Sequence, residues 1–119
     1  MIEIWKLIPG SPGYFVSDWG RVKHIWPSGI VKFLRPAVRG VYLTVVLTGQ
    51  KTVRVHRIVA LAFHGSPKSD QPIVRHLDGF SWNNRADNVR WGTYKENMAD
   101  AMLHRRQRNG SNWPLSLPA

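Results

Sequence analysis

The 119-residue chain has no cysteine, few acidic residues and no long apolar run. Without cysteine there is neither a disulfide framework nor a zinc site built on thiolates, and a reducing, cytoplasmic compartment fits this composition. No apolar stretch approaches the roughly 18–20 residues that a membrane-spanning helix requires. The segment from Met1 to Trp5 lacks the basic region and apolar run of a signal peptide. We therefore expect a soluble intracellular protein with no membrane partner and no structural zinc.

Basic residues greatly outnumber acidic ones. Seventeen Lys and Arg against seven Asp and Glu give a formal net charge of +10, and the pI is near 11.0. A domain with a pI above about 9 is typical of proteins that bind a phosphate backbone, although ribosomal and structural basic proteins share this property. The cations are spread along the chain instead of lining one helical face, which disfavours a membrane-surface helix. Nucleic acid is the partner that the charge favours.

The first half of the chain has the pattern of short strands separated by turns. Clusters of Pro and Gly, such as the one at 9–13, supply the turns. No residue in this half has obvious catalytic chemistry. Strands are predicted over residues 4–7, 14–17, 21–25, 31–34, 41–47 and 52–55.

Helical periodicity begins at His56. The pattern over 56–63 predicts a short buried helix, with His56 as its N-cap or as a core residue. Strands are predicted at 73–76 and 89–91, around a loop rich in Asn and Gly. Thr93 and Glu96 then form a capping-box pattern that starts a second helix. An inward-facing stripe is predicted on that helix from Tyr94, Asn97, Met98, Ala101 and Met102.

These elements predict an α+β fold in three parts. Residues 1–52 form a small antiparallel β module, and residues 53–106 form a compact unit of two strands and two helices. Residues 107–119 contain Gly, Asn and two Pro, which predicts an irregular tail.

An ordered trio of polar residues lies in the second part. His76 ends a predicted strand, Asn88 follows 12 residues later in the loop, and Asn97 lies 9 residues further on in the helix. Together with the 55–63 helix, this pattern resembles the HNH endonucleases of the ββα-metal class, of the phage and mobile-intron type. The segments at 3–10, 13–17 and 20–22 resemble the β module that often precedes such nucleases. The resemblance covers about residues 3–104, and implies that the two parts are a DNA-contacting β module and a ββα-metal nuclease core.

The resemblance implies a role for each member of the trio. His76 corresponds to the general base that activates water, which suits a neutral imidazole. Asn88 corresponds to the residue that braces the loop and so orients His76. Asn97 corresponds to the metal ligand, through its amide oxygen. An oxygen ligand with no thiolate nearby favours one Mg²⁺ or Mn²⁺ ion per site, and no small-molecule cofactor is implied.

One position departs from the family pattern. Many relatives carry Asp or Asn immediately before the His, as a second metal ligand, whereas this chain has Arg75, which cannot coordinate a cation. Either Asn97 holds the metal almost alone and Arg75 grips the scissile phosphate, or the site is weakened and the protein binds DNA without cutting it well. Asp78 is a further candidate metal ligand, although Asp78-Gly79 is more simply a turn.

The function that this combination predicts is a Mg²⁺-dependent endonuclease that nicks double-stranded DNA, as a monomer or weak dimer in a phage or bacterial host. Two alternatives stay open: a non-catalytic DNA-binding module with the same fold, and an RNA-binding protein. The predicted contacts to DNA come from basic side chains of the β module and from the loop after His76. They are Arg21, Lys23, Lys32, Arg35, Arg39, Trp82 and Arg85.

Overall fold

A computed structural model describes the chain over residues 2–49 and 51–109, with side chains to residue 103. Neither helix in this part combines the length and the apolarity that crossing a membrane requires. In chain order, the elements are β1 (Trp5–Leu7), β2 (Tyr14–Ser17), β3 (Val22–Ile25), β4 (Val31–Phe33), β5 (Ala37–Arg39), β6 (Tyr42–Leu47), β7 (Lys51–Arg54), α1 (Val55–His64), β8 (Ile73–His76), β9 (Val89–Gly92) and α2 (Tyr94–Asn109).

The strands form three antiparallel sheets in which each strand pairs with its neighbour along the chain. Strands β1 to β4 form the first sheet, β5 to β7 the second, and β8 and β9 the third. In the third sheet, His76 pairs with Val89 and Arg75 with Arg90. Helix α2 follows β9 directly, which completes a ββα unit. The predicted α+β class, a β module followed by a ββα core, is confirmed.

Besides shifts of one residue at several ends, the structure differs from the prediction by one additional strand and by the end of α2. The structure contains β5 (Ala37–Arg39), which is three exposed residues long and therefore shows no alternation of apolar and polar positions. Helix α2 continues to Asn109, beyond the predicted start of an irregular tail at residue 107. The rest of that predicted tail, residues 110–119, lies outside the described residues.

A single hydrophobic core joins the three sheets around α1. Val55, Ile58 and Val59 of this helix are buried together with residues of every sheet. Since burial of such side chains contributes about 1.5–3 kcal/mol each, this helix is a main source of stability for the whole fold. The sheet residues in this core are Tyr14, Val16, Val22, Val45, Leu47 and Val89, and Ile8, directly after β1, packs with them.

The predicted inward stripe on α2 is wrong. Tyr94 and Met98 are each 67% exposed, Met102 is also exposed, and Asn97 lies on the exposed side as well. Helix α2 instead turns Glu96 and Asp100 towards β8, where both form ion pairs with Arg75. The capping box is confirmed, because Thr93 Oγ1 accepts from the Glu96 amide at 3.0 Å and Glu96 Oε1 accepts from the Thr93 amide at 2.9 Å.

Candidate active site

Asn88 braces the loop between β8 and β9. Its buried side chain donates through Nδ2 to Asp78 Oδ1 at 2.9 Å and to the Asn83 carbonyl at 2.8 Å. Its Oδ1 accepts from the Asp78 amide at 3.0 Å, and its carbonyl accepts from the Leu77 amide at 2.8 Å. These bonds hold the loop against the end of β8, where His76 lies, which is the geometry that a brace requires.

Asp78 is a turn residue in this structure, and its role as a metal ligand stays a prediction. Its Oδ1 accepts from the Phe80 amide at 2.8 Å as well as from Asn88. Its Oδ2 accepts from Asn83 Nδ2 at 2.7 Å. Gly79 then takes a φ of 80°, which only glycine adopts without strain. Both carboxylate oxygens therefore serve the loop.

His76 is oriented by a residue that sequence reasoning missed. Its Nε2 lies 2.9 Å from Oδ1 of Asn84, which is only 3% exposed. Because an amide oxygen can only accept, Nε2 carries the proton and Nδ1 keeps its lone pair. Among the described residues, Nδ1 has no hydrogen-bond partner. Nothing in the sequence distinguished Asn84 from Asn83, since only the fold turns one of the two towards the imidazole.

Burial lowers the pKa of His76, and the hydrogen bond to Asn84 and the charge of Asp78 oppose this shift only in part. The imidazole is therefore neutral at pH 7. A neutral imidazole with a free Nδ1 is chemically able to accept a proton from water.

A second histidine packs against His76. The ring of His56 is buried, with its centroid 5.0 Å from that of His76 in an edge-to-face arrangement. The Tyr42 ring covers both, at 4.7 Å from His56 and 6.3 Å from His76. Burial, followed by the charges of His76, Arg54 and Arg57, lowers the pKa of His56 to about 3. Of the two predicted roles for His56, core residue is correct, because no side-chain bond caps α1 at its start.

This buried imidazole predicts a loss of stability on acidification. In the unfolded chain His56 takes up a proton near pH 6.5, whereas in the folded protein it stays neutral down to about pH 3. The free energy of unfolding should therefore fall as the pH drops below 6.5, by up to about 1.4 kcal/mol per pH unit from this group. Urea denaturation between pH 7 and pH 5 measures the slope. His56→Phe should reduce this pH dependence, with the smaller contribution of His76 remaining. An unchanged slope would show that His56 is not the group responsible.

Arg75 is bound by α2 in this arrangement, and its contact with a phosphate stays a prediction. Its Nε and Nη2 donate to Asp100 at 2.7 and 3.0 Å, and its Nη1 donates to Glu96 at 3.2 Å. Its aliphatic part crosses Gly92, where a Cβ atom would lie 2.3 Å from Arg75 Cδ. The hydrogen bond to Asp100 raises the pKa of Arg75 further. Glu96 and Asp100 lie 21 and 25 residues after Arg75 in the sequence. The hydrophobic periodicity of the sequence could not predict ion pairs over such separations.

Arg75 and His76 divide the two faces of β8. Successive strand residues point to opposite faces, and here Arg75 meets α2 while His76 meets His56 and Asn84. Asn97 lies in the first turns of α2, where its backbone N–H donates to the Thr93 carbonyl and its side chain is exposed. Over residues 2–49 and 51–109, no hydrogen bond or ring contact joins His76 to Asn97.

The donor set limits what metal the site can hold. In the described part of the chain, no three His, Cys, Asp or Glu residues are grouped in a way that could hold a metal ion. Glu96 and Asp100 share the single Arg75 guanidinium, and both oxygens of Asp78 bond the loop. Of the two predicted ligands, Asn97 is therefore the one with an exposed side-chain oxygen that does not bond the loop. Mg²⁺ often keeps several waters and uses few protein ligands together with substrate phosphates. The residues therefore fit a hard cation that is held mainly by water and DNA.

The predicted DNA contacts fall into two groups. Lys32, Arg35 and Arg39 are exposed, and within the described residues none of them has an ion-pair partner. The other cations are partly engaged inside the protein. Arg21 pairs with Glu3 and lies 4.9 Å from the Phe33 ring, Lys23 lies 3.9 Å from the Trp5 ring, and Arg85 lies 5.5 Å from the Trp19 ring. Trp82 is 38% exposed.

Two family matches divide the chain between them. Residues 53–99 match the HNH endonuclease family, and residues 3–48 match the NUMOD4 motif. The first match contains His76, Asn88 and Asn97, and the second contains β1 to β6.

Three curated proteins are similar to the chain. Two uncharacterized HNH endonucleases of Acanthamoeba polyphaga mimivirus are 36% and 32% identical, over 84% and 87% of this chain. DNA endonuclease I-HmuI of Bacillus phage SP01 is 35% identical over 82% of this chain. The aligned part makes up 26%, 31% and 57% of these relatives, so the chain spans well under two thirds of their length.

A solved structure of DNA binding and cleavage by the HNH homing endonuclease I-HmuI has the same fold. The TM-score is 0.71 at 35% sequence identity, over 85% of this chain and 59% of the other. With the ββα unit, the oriented His76 and the two family matches, these likenesses establish that the chain belongs to the HNH endonuclease family.

Proposed function

We propose that the chain is a DNA endonuclease that cuts one strand of double-stranded DNA per site and depends on one Mg²⁺ or Mn²⁺ ion. The observation that carries this proposal is the state of His76. Its Nε2 hydrogen is held by Asn84, and its Nδ1 is without a partner among the described residues. His76 is a neutral and oriented general base in a protein of net charge +10, which suits the hydrolysis of a phosphodiester by water.

In this proposal, His76 Nδ1 takes a proton from the attacking water. The resulting imidazolium keeps its Nε2 hydrogen bond to Asn84 Oδ1, which is stronger once the donor is charged. Tyr42 and His56 pack against the ring and limit its rotation. Asn88 acts indirectly, by holding the loop that carries Asn84.

The ion, when bound, stabilises the charge that develops on the phosphate and on the leaving 3′ oxygen. Asn97 is the protein residue proposed to hold it, with waters and phosphate oxygens as the other ligands. Metal affinity should accordingly be weak in the absence of DNA. A single site of this kind acts on one strand, which is why a monomer or weak dimer that nicks DNA in the cytoplasm of a phage or bacterial host is proposed.

The second candidate is a DNA-binding module of the same fold that cuts poorly or not at all. The observation that favours it is the ion-pair cluster around Arg75. Both acidic side chains that α2 turns towards β8 form ion pairs there with one guanidinium, which opposes the binding of a second cation beside them.

Incubation with supercoiled plasmid distinguishes these two functions. With Mg²⁺ or Mn²⁺ the protein should convert supercoiled DNA to the relaxed, nicked form, and EDTA should abolish this conversion. A gel shift that weakens as salt rises, without any relaxation, would instead support the non-catalytic module. Relaxation that persists in EDTA would contradict the metal requirement.

A further inference from the structure

A cavity of about 220 Å³ lies where the two sheets of the β module meet the loop before β9. The Ala86 amide donates to the Asp18 carbonyl at 2.8 Å, which ties this loop to the turn that carries Trp19. The cavity therefore belongs to both parts of the chain. Most of its walls are apolar or aromatic, and they include Trp19, Val22, Leu34, Leu43, Val45 and Trp82.

One polar side chain in the wall has an unused donor. Asn84 lines the cavity and is 3% exposed. Its Oδ1 is taken by His76, whereas its Nδ2 has no hydrogen-bond partner in the described part of the chain. Gly20 packs against it so closely that a Cβ atom there would lie 3.0 Å from the Asn84 carbonyl oxygen. Nδ2 itself has almost no accessible surface, so Asn84 shapes the wall beside His76 and does not present this donor to the cavity.

The walls suit a flat aromatic ligand that carries a phosphate nearby. Trp19 and Trp82 provide rings on which a heterocycle can stack. Arg21 in the wall and Arg85 beside the Trp19 ring place positive charge next to these rings. The volume is below the range of about 300–1,000 Å³ that is usual for whole small-molecule ligands, which favours a single heterocyclic base.

We propose that this cavity receives one unpaired base of the bound DNA, which stacks against Trp19 and Trp82. The inference rests on the proposed DNA-binding function and adds a base-binding site to it. Every base has a face that can stack, so the site selects an unpaired base and not a sequence.

Equilibrium binding in EDTA tests the proposal without any cleavage. The probes are three labelled duplexes of one sequence: fully paired, with a single unpaired base, and with an abasic residue at that unpaired position. The abasic duplex has the same flexible backbone and lacks only the base. Fluorescence anisotropy should show the unpaired base bound about tenfold more tightly than its abasic counterpart, since stacking contributes substantially per base.

Two variants separate the cavity from general DNA affinity. Leu43→Phe fills the cavity, and Trp82→Ala, at a more exposed position, removes one stacking ring. Both should lose the preference for the unpaired base, and Leu43→Phe, which changes none of the predicted DNA contacts, should also keep its affinity for the paired duplex. Trp26→Ala is the matched control, because Trp26 contacts His24 and is not in the cavity wall.

Equal affinity for the unpaired base and the abasic residue would overturn the proposal, as would a preference that survives in both cavity variants. The result is independent of the nuclease assay. A protein that nicks plasmid without this preference refutes the base site alone, and a protein with the preference that does not nick refutes the nuclease proposal alone.

Discussion

His76→Ala is expected to reduce DNA cleavage by about 10²- to 10⁴-fold, the usual contribution of a positioned general base. The variant lacks the Nδ1 that takes the proton from water. DNA affinity should change little, because His76 is half-buried and contacts His56, Tyr42 and Asn84 instead of the exposed cations. Plasmid nicking gives the rate, and a gel shift in EDTA gives the affinity.

Stability must be followed in the same variant. Removing the imidazole leaves the buried Asn84 amide without its partner, which costs about 1–3 kcal/mol. Thermal melting shows whether the assay temperature lies below the transition. His64→Ala is the control, since this exposed histidine lies at the end of α1 and bonds only the Ala86 carbonyl. A folded His76→Ala protein that nicks at the normal rate would refute the assignment of the base.

Asn88→Ala should lower the free energy of unfolding by about 3 kcal/mol. The substitution removes three side-chain hydrogen bonds to Asp78 and Asn83, at about 1 kcal/mol each and more for the charged carboxylate. Cleavage should fall as well, because the loop that carries Asn84 is no longer held against β8. Urea denaturation measures the first effect and plasmid nicking the second. An unfolding free energy within about 0.5 kcal/mol of the parent would contradict the bracing role.

Asn97→Ala is the matched comparison for Asn88→Ala, because it should lower cleavage with little effect on stability. Asn97 is exposed, so its stability effect should stay within about 0.5 kcal/mol. Its cleavage rate should nevertheless fall, and the concentration of Mg²⁺ needed for half-maximal nicking should rise, since it is the proposed protein ligand. If Asn97→Ala nicks with the parent's rate and metal dependence, the metal is held elsewhere.

Local patterns were sufficient for most of the elements. Apart from β5, the strands of the β module follow from alternation and turn residues, as do the strands at 73–76 and 89–91, and α1 follows from helical spacing. The capping box of Thr93 and Glu96 follows from the spacing of two residues. Each of these signals depends on side chains only a few positions apart.

The environment of the site required contacts that span the chain. Asn84 meets His76 only because the loop folds back, and His56 meets it only because α1 packs beneath β9. The prediction of an inward-facing stripe on α2 was wrong for the same reason. Arg75 offered a partner to acidic residues, so the helix turned Glu96 and Asp100 towards the strand and left its apolar side chains exposed.

By itself, the sequence determined the basic charge, the order of the elements and the family, because these depend on composition, short spacings and a motif. The tertiary structure alone decided which polar groups meet. Whether Arg75 contacts a phosphate or a carboxylate, and whether an asparagine braces a loop or holds an imidazole, depends on the partners that lie within about 3 Å. Those partners are set by packing of the whole chain around α1, which no local pattern records.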